Sequence, residues 1–207
     1  MREVEGIIEK AALVKDGFKP IRDLADDALS HHSEDEALAL AHALYRSEVH
    51  QARMLATILL GRLSVAHLEA LDFLHDVVSQ DPDWRTQEML AMAFDTYCKA
   101  AGYEQALPVI ESWLGDPNPN VRRAASEGLR IWTHRPYFKQ HPDQAVALLS
   151  RLKADEHPYV RKSASNALRD ISRFHKALVT AEVATWDLSD AHIADTYKYA
   201  AKFLPSD

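Results

Sequence analysis

Apolar residues recur with the 3.6-residue period of an α-helix along almost the whole 207-residue chain, and no stretch shows the alternation of a β-strand. Turn signals rich in Pro, Gly, Asn and Asp interrupt this pattern, for example "QDPDW", "GDPNPN", "HRPYFKQHPD" and "DEHP". The sequence therefore predicts an all-α protein. The predicted helices cover about 2–15, 18–31, 34–46, 48–63, 66–79, 83–101, 103–115, 119–133, 142–154, 157–174 and 189–203.

Two stretches of the chain are copies of each other. "VRRAASEGLR" at 121–130 returns as "VRKSASNALR" at 160–169, and the same offset of 39 residues relates Ile110 to Leu149 and Pro119 to Pro158. A weaker third copy, "DPDWRTQEMLAMAF", lies 37 residues earlier. Helical pairs at this period are typical of HEAT-like repeats, in which each pair leaves an apolar face that its neighbour covers. We predict a single domain, residues 1–207, folded as a HEAT-like α-solenoid, an α-α superhelix of about five units.

The two copies place cations on one helical face and apolar residues on the other. In the first copy Val121, Ala125, Leu129 and Trp132 share a face, which assigns Trp132 to the core. If the second helix of each pair lines the concave side, the opposite faces form a concave basic groove. That groove would also carry polar and aromatic residues, namely Trp84, Glu88, Glu127, Asn166 and Asp170.

Charge is unevenly distributed along the chain. The formal net charge of −7 argues against a nucleic-acid partner, but residues 121–180 hold 12 Lys and Arg against 5 Asp and Glu. This segregation predicts a cationic surface on an acidic body, because attraction to an anion depends on the local potential. A helix-rich surface with uneven charge and no ligand is the alternative.

Several function classes lack their sequence signals. There is no apolar run of 18 residues and the N-terminus is charged, so we expect a cytoplasmic protein without a membrane partner. One cysteine cannot form an internal disulfide, and the 11 histidines show no metal-ligand spacing. Phosphate-binding glycine loops and the GxSxG motif are absent. We expect no metal and no cofactor.

Three segments together resemble a known family. "NPNVRRAASEGLRIW" and "EHPYVRKSASNALRDISRFH" resemble paired motifs of the AlkC/AlkD superfamily, HEAT-like repeat DNA glycosylases that remove alkylated bases. "DWRTQEMLAMAF" resembles the Trp-plus-acid segment of that family, and the similarity looks closer to the AlkC side. The resemblance covers roughly residues 80–176. It implies a protein that binds damaged duplex DNA and excises N3- or N7-alkylpurines. We expect a monomer.

The resemblance also implies roles for individual residues. Glu88, Glu127 and Asp170 would face the lesion, and Trp84 would form an aromatic wall beside it. An alkylated purine is already a cationic leaving group, so carboxylates and an aromatic face would stabilise the cationic sugar that develops. The cations implied to hold phosphates are Arg122, Arg123, Arg130, Arg161, Lys162 and Arg169.

Each acidic residue also has a simpler interpretation. Glu127 lies three residues before Arg130, and Glu88 lies three after Arg85, so surface ion pairs would explain both. Asp170 and Arg173 have the same spacing. Trp84, near a helix N-terminus, is as typical of packing as of stacking.

The sequence departs from the family pattern at two places. AlkD-type enzymes have a Trp in the last motif where this chain has Asn166. AlkC proteins carry a C-terminal immunoglobulin-like domain, whereas this sequence ends at Asp207 after one more predicted helix. Two other functions therefore stay open: a non-catalytic binder of damaged or branched DNA, and a HEAT-repeat scaffold for a protein partner.

Overall fold

The computed structural model describes residues 2–204, and within them the chain forms thirteen α-helices, two short 3-10 turns and no strand. The helices are α1 (Arg2–Ala12), α2 (Lys19–His31), α3 (Glu34–Tyr45), α4 (His50–Leu63), α5 (Leu68–Asp76), α6 (Trp84–Ala101), α7 (Leu107–Leu114), α8 (Pro119–Gly128), α9 (Pro136–Gln140), α10 (Pro142–Ser150), α11 (Pro158–Ser172), α12 (Lys176–Val183) and α13 (Ala191–Ala200). No helix in residues 2–204 is long and apolar enough to cross a membrane.

Each of the eleven predicted helices has a counterpart, and the prediction missed α9 and α12. α9 lies in "HRPYFKQHPD", which was predicted as a loop because of its prolines; Pro136 instead occupies the first turn of a helix, where proline is favoured. α8 was predicted to continue to about residue 133 but ends at Gly128. Glycine is a poor helix former, and the backbone is extended by Ile131 before a 3-10 turn begins.

Helices α1 to α6 belong to one compact unit that ends at Ala100. α4 lies at its centre and packs against α1, α2, α3 and α5, so ten of its 14 residues are buried. A glycine allows α4 to approach α6 closely, because a Cβ at Gly61 would lie 2.6 Å from the Cα of Ala93.

The second compact unit begins at Ala101 and is centred on α11, which contacts α8, α10, α12 and α13. The repeated apolar positions form its core: Val121 and Val160 are fully buried, as are Leu129 and Leu168. Trp132 is also fully buried, as predicted, and its Nε1 donates to the carbonyl oxygen of Ser126 at 2.9 Å.

An aspartate closes the same kind of turn before three helices. Oδ1 of Asp81, Asp116 and Asp155 accepts a hydrogen bond from the backbone N–H two residues later, at 2.8, 2.7 and 2.9 Å. Such turns satisfy a backbone donor just before a helix begins. Asp116 and Asp155 are 39 residues apart, which is the offset of the two best copies of the repeat.

Two of these aspartates also receive an arginine from the preceding helical pair. In the first unit Arg53 Nε lies 2.7 Å from Asp81 Oδ2. In the second unit Arg122 grips Asp155 with two hydrogen bonds, Nε to Oδ2 at 2.6 Å and Nη2 to Oδ1 at 2.8 Å. The hydrogen bond to Asp155 raises the pKa of the Arg122 guanidinium despite partial burial. We call each such pairing an Arg–Asp clip.

The clip arginines also bind the loop before their own helix. Nη1 of Arg53 donates to the carbonyl oxygens five and six residues earlier, both at 3.1 Å. Nη1 of Arg122 does the same at 3.0 and 2.8 Å, and Nη1 of Arg161 at 3.0 and 2.6 Å. Arg161 Nη2 lies 3.6 Å from Asp195, a longer pairing. One guanidinium thus joins two loops of neighbouring pairs.

We predict that Asp155→Ala lowers the free energy of unfolding by about 3–5 kcal/mol, the scale of removing one partner of a buried ion pair. Asp195→Ala is the matched control, because the Asp195 side chain is 50% exposed whereas that of Asp155 is 6% exposed. The control should cost less than about 1 kcal/mol. Urea denaturation of both variants measures the difference, and equal losses would contradict the structural role of the clip.

Candidate functional site

The second unit gathers two of the predicted carboxylates around one guanidinium. Arg130 follows the end of α8, and its Nη1 lies 3.0 Å from Glu127 Oε1. Its Nε donates to Asp170 Oδ2, on α11, at 2.7 Å. The ion pair between Glu127 and Arg130, the simpler interpretation of the sequence, therefore forms, but it extends between two helical pairs. We call Ser126, Glu127, Arg130, Ser163, Arg169 and Asp170 the Arg130 cluster.

Two buried serines support Glu127 from the core side. Ser163 Oγ donates to Glu127 Oε2 at 2.9 Å, and Ser126 Oγ lies 2.9 Å from Ser163 Oγ. Neither serine was among the residues predicted for the site. A signal was present, because the second copy has Ser163 where the first has Ala124, a polar residue at a repeated apolar position.

Every carboxylate oxygen in the Arg130 cluster accepts a hydrogen bond. The remaining oxygen, Asp170 Oδ1, is 3.3 Å from Arg169 Nη2. Burial alone would lower the pKa of Arg130, but the hydrogen bond to Asp170 and the charge of Glu127 outweigh it and raise that pKa. The two carboxylates and two guanidinium groups sum to zero formal charge, so the cluster is locally balanced.

Of the two carboxylates, that of Glu127 is the more open to solvent, whereas Asp170 is buried. The side chain of Glu127 is 24% exposed and that of Asp170 is 11% exposed. A carboxylate that is held in position and partly buried is suited to stabilising a nearby positive charge or to orienting a water molecule.

The cations predicted to hold phosphates occupy different environments. Arg122 and Arg161 bind loop carbonyls and aspartates, as described above. Arg130 and Arg169 belong to the Arg130 cluster, and Arg123 is half-buried on α8. Lys162 is exposed, and its ammonium makes no hydrogen bond or ion pair within residues 2–204.

The other two predicted site residues lie in the first unit, on α6. Trp84 is the first residue of that helix and is 60% exposed, with the Arg85 guanidinium 4.8 Å from the centroid of its ring. Glu88 is half-buried one turn later. Residues 2–204 contain no group of three or more His, Cys, Asp or Glu side chains that could hold a metal ion.

A comparison with sequence families decides the identity of the chain. The profile of a family described as "DNA alkylation repair enzyme" matches residues 18–202. The chain belongs to this family. Among proteins with curated descriptions, it is 34% identical over 105 residues to YhaZ of Bacillus subtilis strain 168, described as uncharacterized. That match spans 49% of the chain and 29% of YhaZ.

Solved structures agree with the family assignment. AlkD2 from Streptococcus mutans is 44% identical, with a TM-score of 0.96 and 99% of each chain covered. The protein smu.31 from Streptococcus mutans UA159 is 43% identical, with a TM-score of 0.94 over 99% of this chain and 98% of that one.

A more distant structure shares the fold. The alkylpurine DNA glycosylase AlkC from Pseudomonas fluorescens, bound to DNA containing an abasic site analog, is 24% identical with a TM-score of 0.52. The match covers 97% of this chain and 61% of AlkC. The predicted superfamily and the all-α HEAT-like repeat fold are confirmed. The expected closeness to AlkC is corrected, because the chain is more similar to AlkD2.

We predict that Arg130→Gln destabilises the protein by about 3 kcal/mol, because it leaves two partly buried carboxylates without their shared cation. Arg151→Gln is the control: Arg151 pairs with Glu111 at 3.7 Å with both side chains about half exposed, and its loss should cost less than about 1 kcal/mol. Thermal unfolding of the two variants checks this, and a smaller loss for Arg130→Gln than for Arg151→Gln would contradict it.

Proposed function

We propose that this protein acts in DNA alkylation repair as a glycosylase that releases cationic N3- or N7-alkylpurines from duplex DNA. Membership in the DNA alkylation repair enzyme family supports the process and the DNA substrate. The observation that carries the chemistry is the pair of positioned carboxylates of Glu127 and Asp170 around Arg130, of which Glu127 is partly exposed.

The main contribution required of the protein in this reaction is electrostatic stabilisation. An alkylpurine with a positive charge leaves without being protonated, and the barrier lies in the cationic character of the sugar as the glycosidic bond breaks. Glu127 and Asp170 would stabilise that cation, and one of them would orient the attacking water. Trp84 and Glu88, on α6 of the first unit, keep the roles that the family resemblance implies for them, an aromatic face and a carboxylate, as a prediction.

Phosphate binding is assigned to the cations that remain available. Lys162 is exposed on α11, and Tyr159, on the same helical face one turn earlier, is also exposed. Arg122 and Arg161 are left out of the proposed phosphate contacts, because their guanidinium groups bind carbonyl oxygens and aspartates of the repeat.

A non-catalytic binder of damaged DNA is the second candidate, and one observation favours it. All four carboxylate oxygens of Glu127 and Asp170 accept hydrogen bonds, three of them from guanidinium groups. Neighbouring cations reduce the stabilisation that these carboxylates offer to a developing positive charge. In this case the Arg130 cluster would hold two helical pairs together and would take no part in catalysis.

Release of 7-methylguanine or 3-methyladenine from duplex DNA distinguishes the two candidates. We predict that the wild type releases the base and that Glu127→Gln slows release by roughly 100-fold or more, the scale of losing one electrostatic stabiliser, while duplex affinity holds or improves.

Glu182→Gln is the matched control, because Glu182 in the same unit also accepts hydrogen bonds from a serine, Ser150, and from Trp186 Nε1. It should leave the release rate unchanged. A wild type that binds alkylated duplex without releasing base would establish the non-catalytic binder instead.

We also predict that duplex binding weakens steeply with salt and that Lys162→Ala lowers the slope of log affinity against log salt by about one unit. Arg122→Ala should leave that slope unchanged, since Arg122 is bound to Asp155, although it should lower stability. Fluorescence anisotropy at several salt concentrations, below the melting temperature of each variant, measures both. Equal slopes for Lys162→Ala and wild type would remove Lys162 from the interface.

A further inference from the structure

Helix α1 is attached to the first unit by little buried surface. It packs against α4 and α3, and Ala11 is the only one of its residues that is buried. Towards α2 it borders a cavity of about 520 Å³, which is lined by Gly6 and Ile7 on α1 and by Leu24 and Ala28 on α2. A helix with so few buried apolar contacts opens locally at a lower free energy than the core of its unit.

One polar contact joins α1 to the loop between α2 and α3. Glu3 Oε1, on α1, lies 3.0 Å from Nε2 of His32. Within residues 2–204, no other hydrogen bond or ion pair links a side chain of α1 to a different part of the chain. The side chain of His32 is 15% exposed and that of Glu3 is 68% exposed, so the contact lies at the edge of the first unit.

Both ring nitrogens of His32 face acceptor oxygens. Nε2 faces the Glu3 carboxylate, and Nδ1 lies 2.8 Å from the carbonyl oxygen of Ala28. A neutral imidazole has one N–H group and one lone pair, so it donates to only one of these two acceptors. An imidazolium has two N–H groups and donates to both. The geometry around His32 therefore fits the protonated ring.

The surroundings of His32 favour the same form. The hydrogen bond to the Ala28 carbonyl, in the last turn of α2, is the largest cause that raises the pKa of His32. Partial burial opposes it, and Glu3 on α1 and Glu36 on α3 raise the pKa further. A cation at the C-terminus of α2 is also favoured by the helix dipole. The other charged or titratable groups that line the cavity beside His32 are Arg2 and Lys10 on α1 and the pair of Asp27 and His31 on α2.

We propose that His32 is a proton-dependent switch that holds α1 on the first unit. The imidazolium donates to Glu3 and to the Ala28 carbonyl at once, whereas loss of one proton to solvent leaves a lone pair facing one of the two acceptors. The carbonyl is fixed within α2 and the Glu3 side chain is mobile at the surface, so the contact with Glu3 is the one that breaks. Helix α1 then opens more often.

The direction of the pH dependence follows from the shift of the pKa. Folding raises the pKa of His32 above its ordinary value of 6.5. The protonated contact therefore contributes its full stability below pH 6.5, and this contribution is lost as the pH rises through the raised pKa. Because Glu3 is mostly exposed, the effect has the small size of a surface ion pair and acts on the local opening of α1.

Amide exchange with water tests the switch in the ¹⁵N-labelled full chain, measured by NMR between about pH 5.5 and 8.5, the range in which histidine titrates. After correction for the intrinsic pH dependence of exchange, protection of the Ile7 and Ile8 amides should fall roughly two- to fivefold as His32 loses its proton. Amides of the buried helix α4 should keep their protection. The midpoint should equal the pKa of His32, obtained from its ring Cε1–H signal in the same samples.

Glu3→Gln distinguishes a proton-dependent switch from an ordinary surface contact. The glutamine amide can donate to Nε2 of the neutral ring, and its oxygen can accept from the protonated ring. Protection of α1 should then no longer depend on pH, and at the alkaline end it should equal or exceed that of the wild type. The pKa of His32 should fall, because the charge of Glu3 that raises it is absent.

Glu5→Gln is the matched control. Glu5 is exposed on the same helix and makes no hydrogen bond or ion pair within residues 2–204, so this substitution removes a negative charge from α1 without changing the contact. It should leave the pH dependence of α1 and its midpoint close to those of the wild type. His32→Gln should abolish the pH dependence, because glutamine does not titrate.

A loss of α1 protection with a midpoint that differs from the pKa of His32 would overturn the inference. A Glu3→Gln variant with the pH dependence of the wild type would overturn it as well. So would equal effects of Glu3→Gln and Glu5→Gln, because the total charge of α1 would then be responsible. These samples contain no DNA, so the outcome is independent of the proposed function.

Discussion

The covering of one helical pair by the next is the constraint on which the rest of the second unit depends. Val121, Leu129, Val160 and Leu168 are fully buried because neighbouring pairs cover faces that no single pair can hide. Apolar contact is not directional, so it does not by itself fix how the pairs are aligned. The clip of Arg122 and Asp155 supplies that direction, because a bidentate guanidinium–carboxylate pair tolerates little change in angle.

The sequence predicted the fold well because a repeat shows itself through periodicity. The 39-residue offset located the two best copies, and the 3.6-residue period assigned Trp132 and its neighbours to the core. The two missed helices are short, and α9 begins at a proline that was interpreted as a break. Short helices carry too few residues for a period to be recognised.

The candidate site was less predictable, because its arginines look alike in sequence. Arg122 and Arg123 are adjacent, yet Arg122 binds an aspartate 33 residues away. No residue close to Arg122 in the sequence identifies Asp155 as its partner. Glu127 was identified as unusual by comparing the two copies, but its contact with Ser163 required the packing of α8 against α11. The sequence alone does not show which side chains of neighbouring helical pairs contact each other.

Ion pairs between side chains of neighbouring helical pairs also reduce the positive charge that residues 121–180 present to solvent. Four of the six cations first assigned to phosphates, Arg122, Arg130, Arg161 and Arg169, lie beside carboxylates. These ion pairs stabilise the fold, and the neighbouring carboxylates largely neutralise the positive charge of the four arginines. The potential that reaches an approaching anion thus comes from fewer groups than the composition suggests, chiefly exposed lysines such as Lys162.

The Arg–Asp clip also restricts how the length of this chain can vary. One residue inserted into the middle of a helix rotates everything after it by about 100°, which would turn the Asp155 carboxylate away from Arg122. Insertions that keep the clip intact must fall in loops outside it or add a complete helical pair with its own arginine and aspartate. A protein built in this way lengthens in whole repeats, so its size is counted in helical pairs rather than in residues.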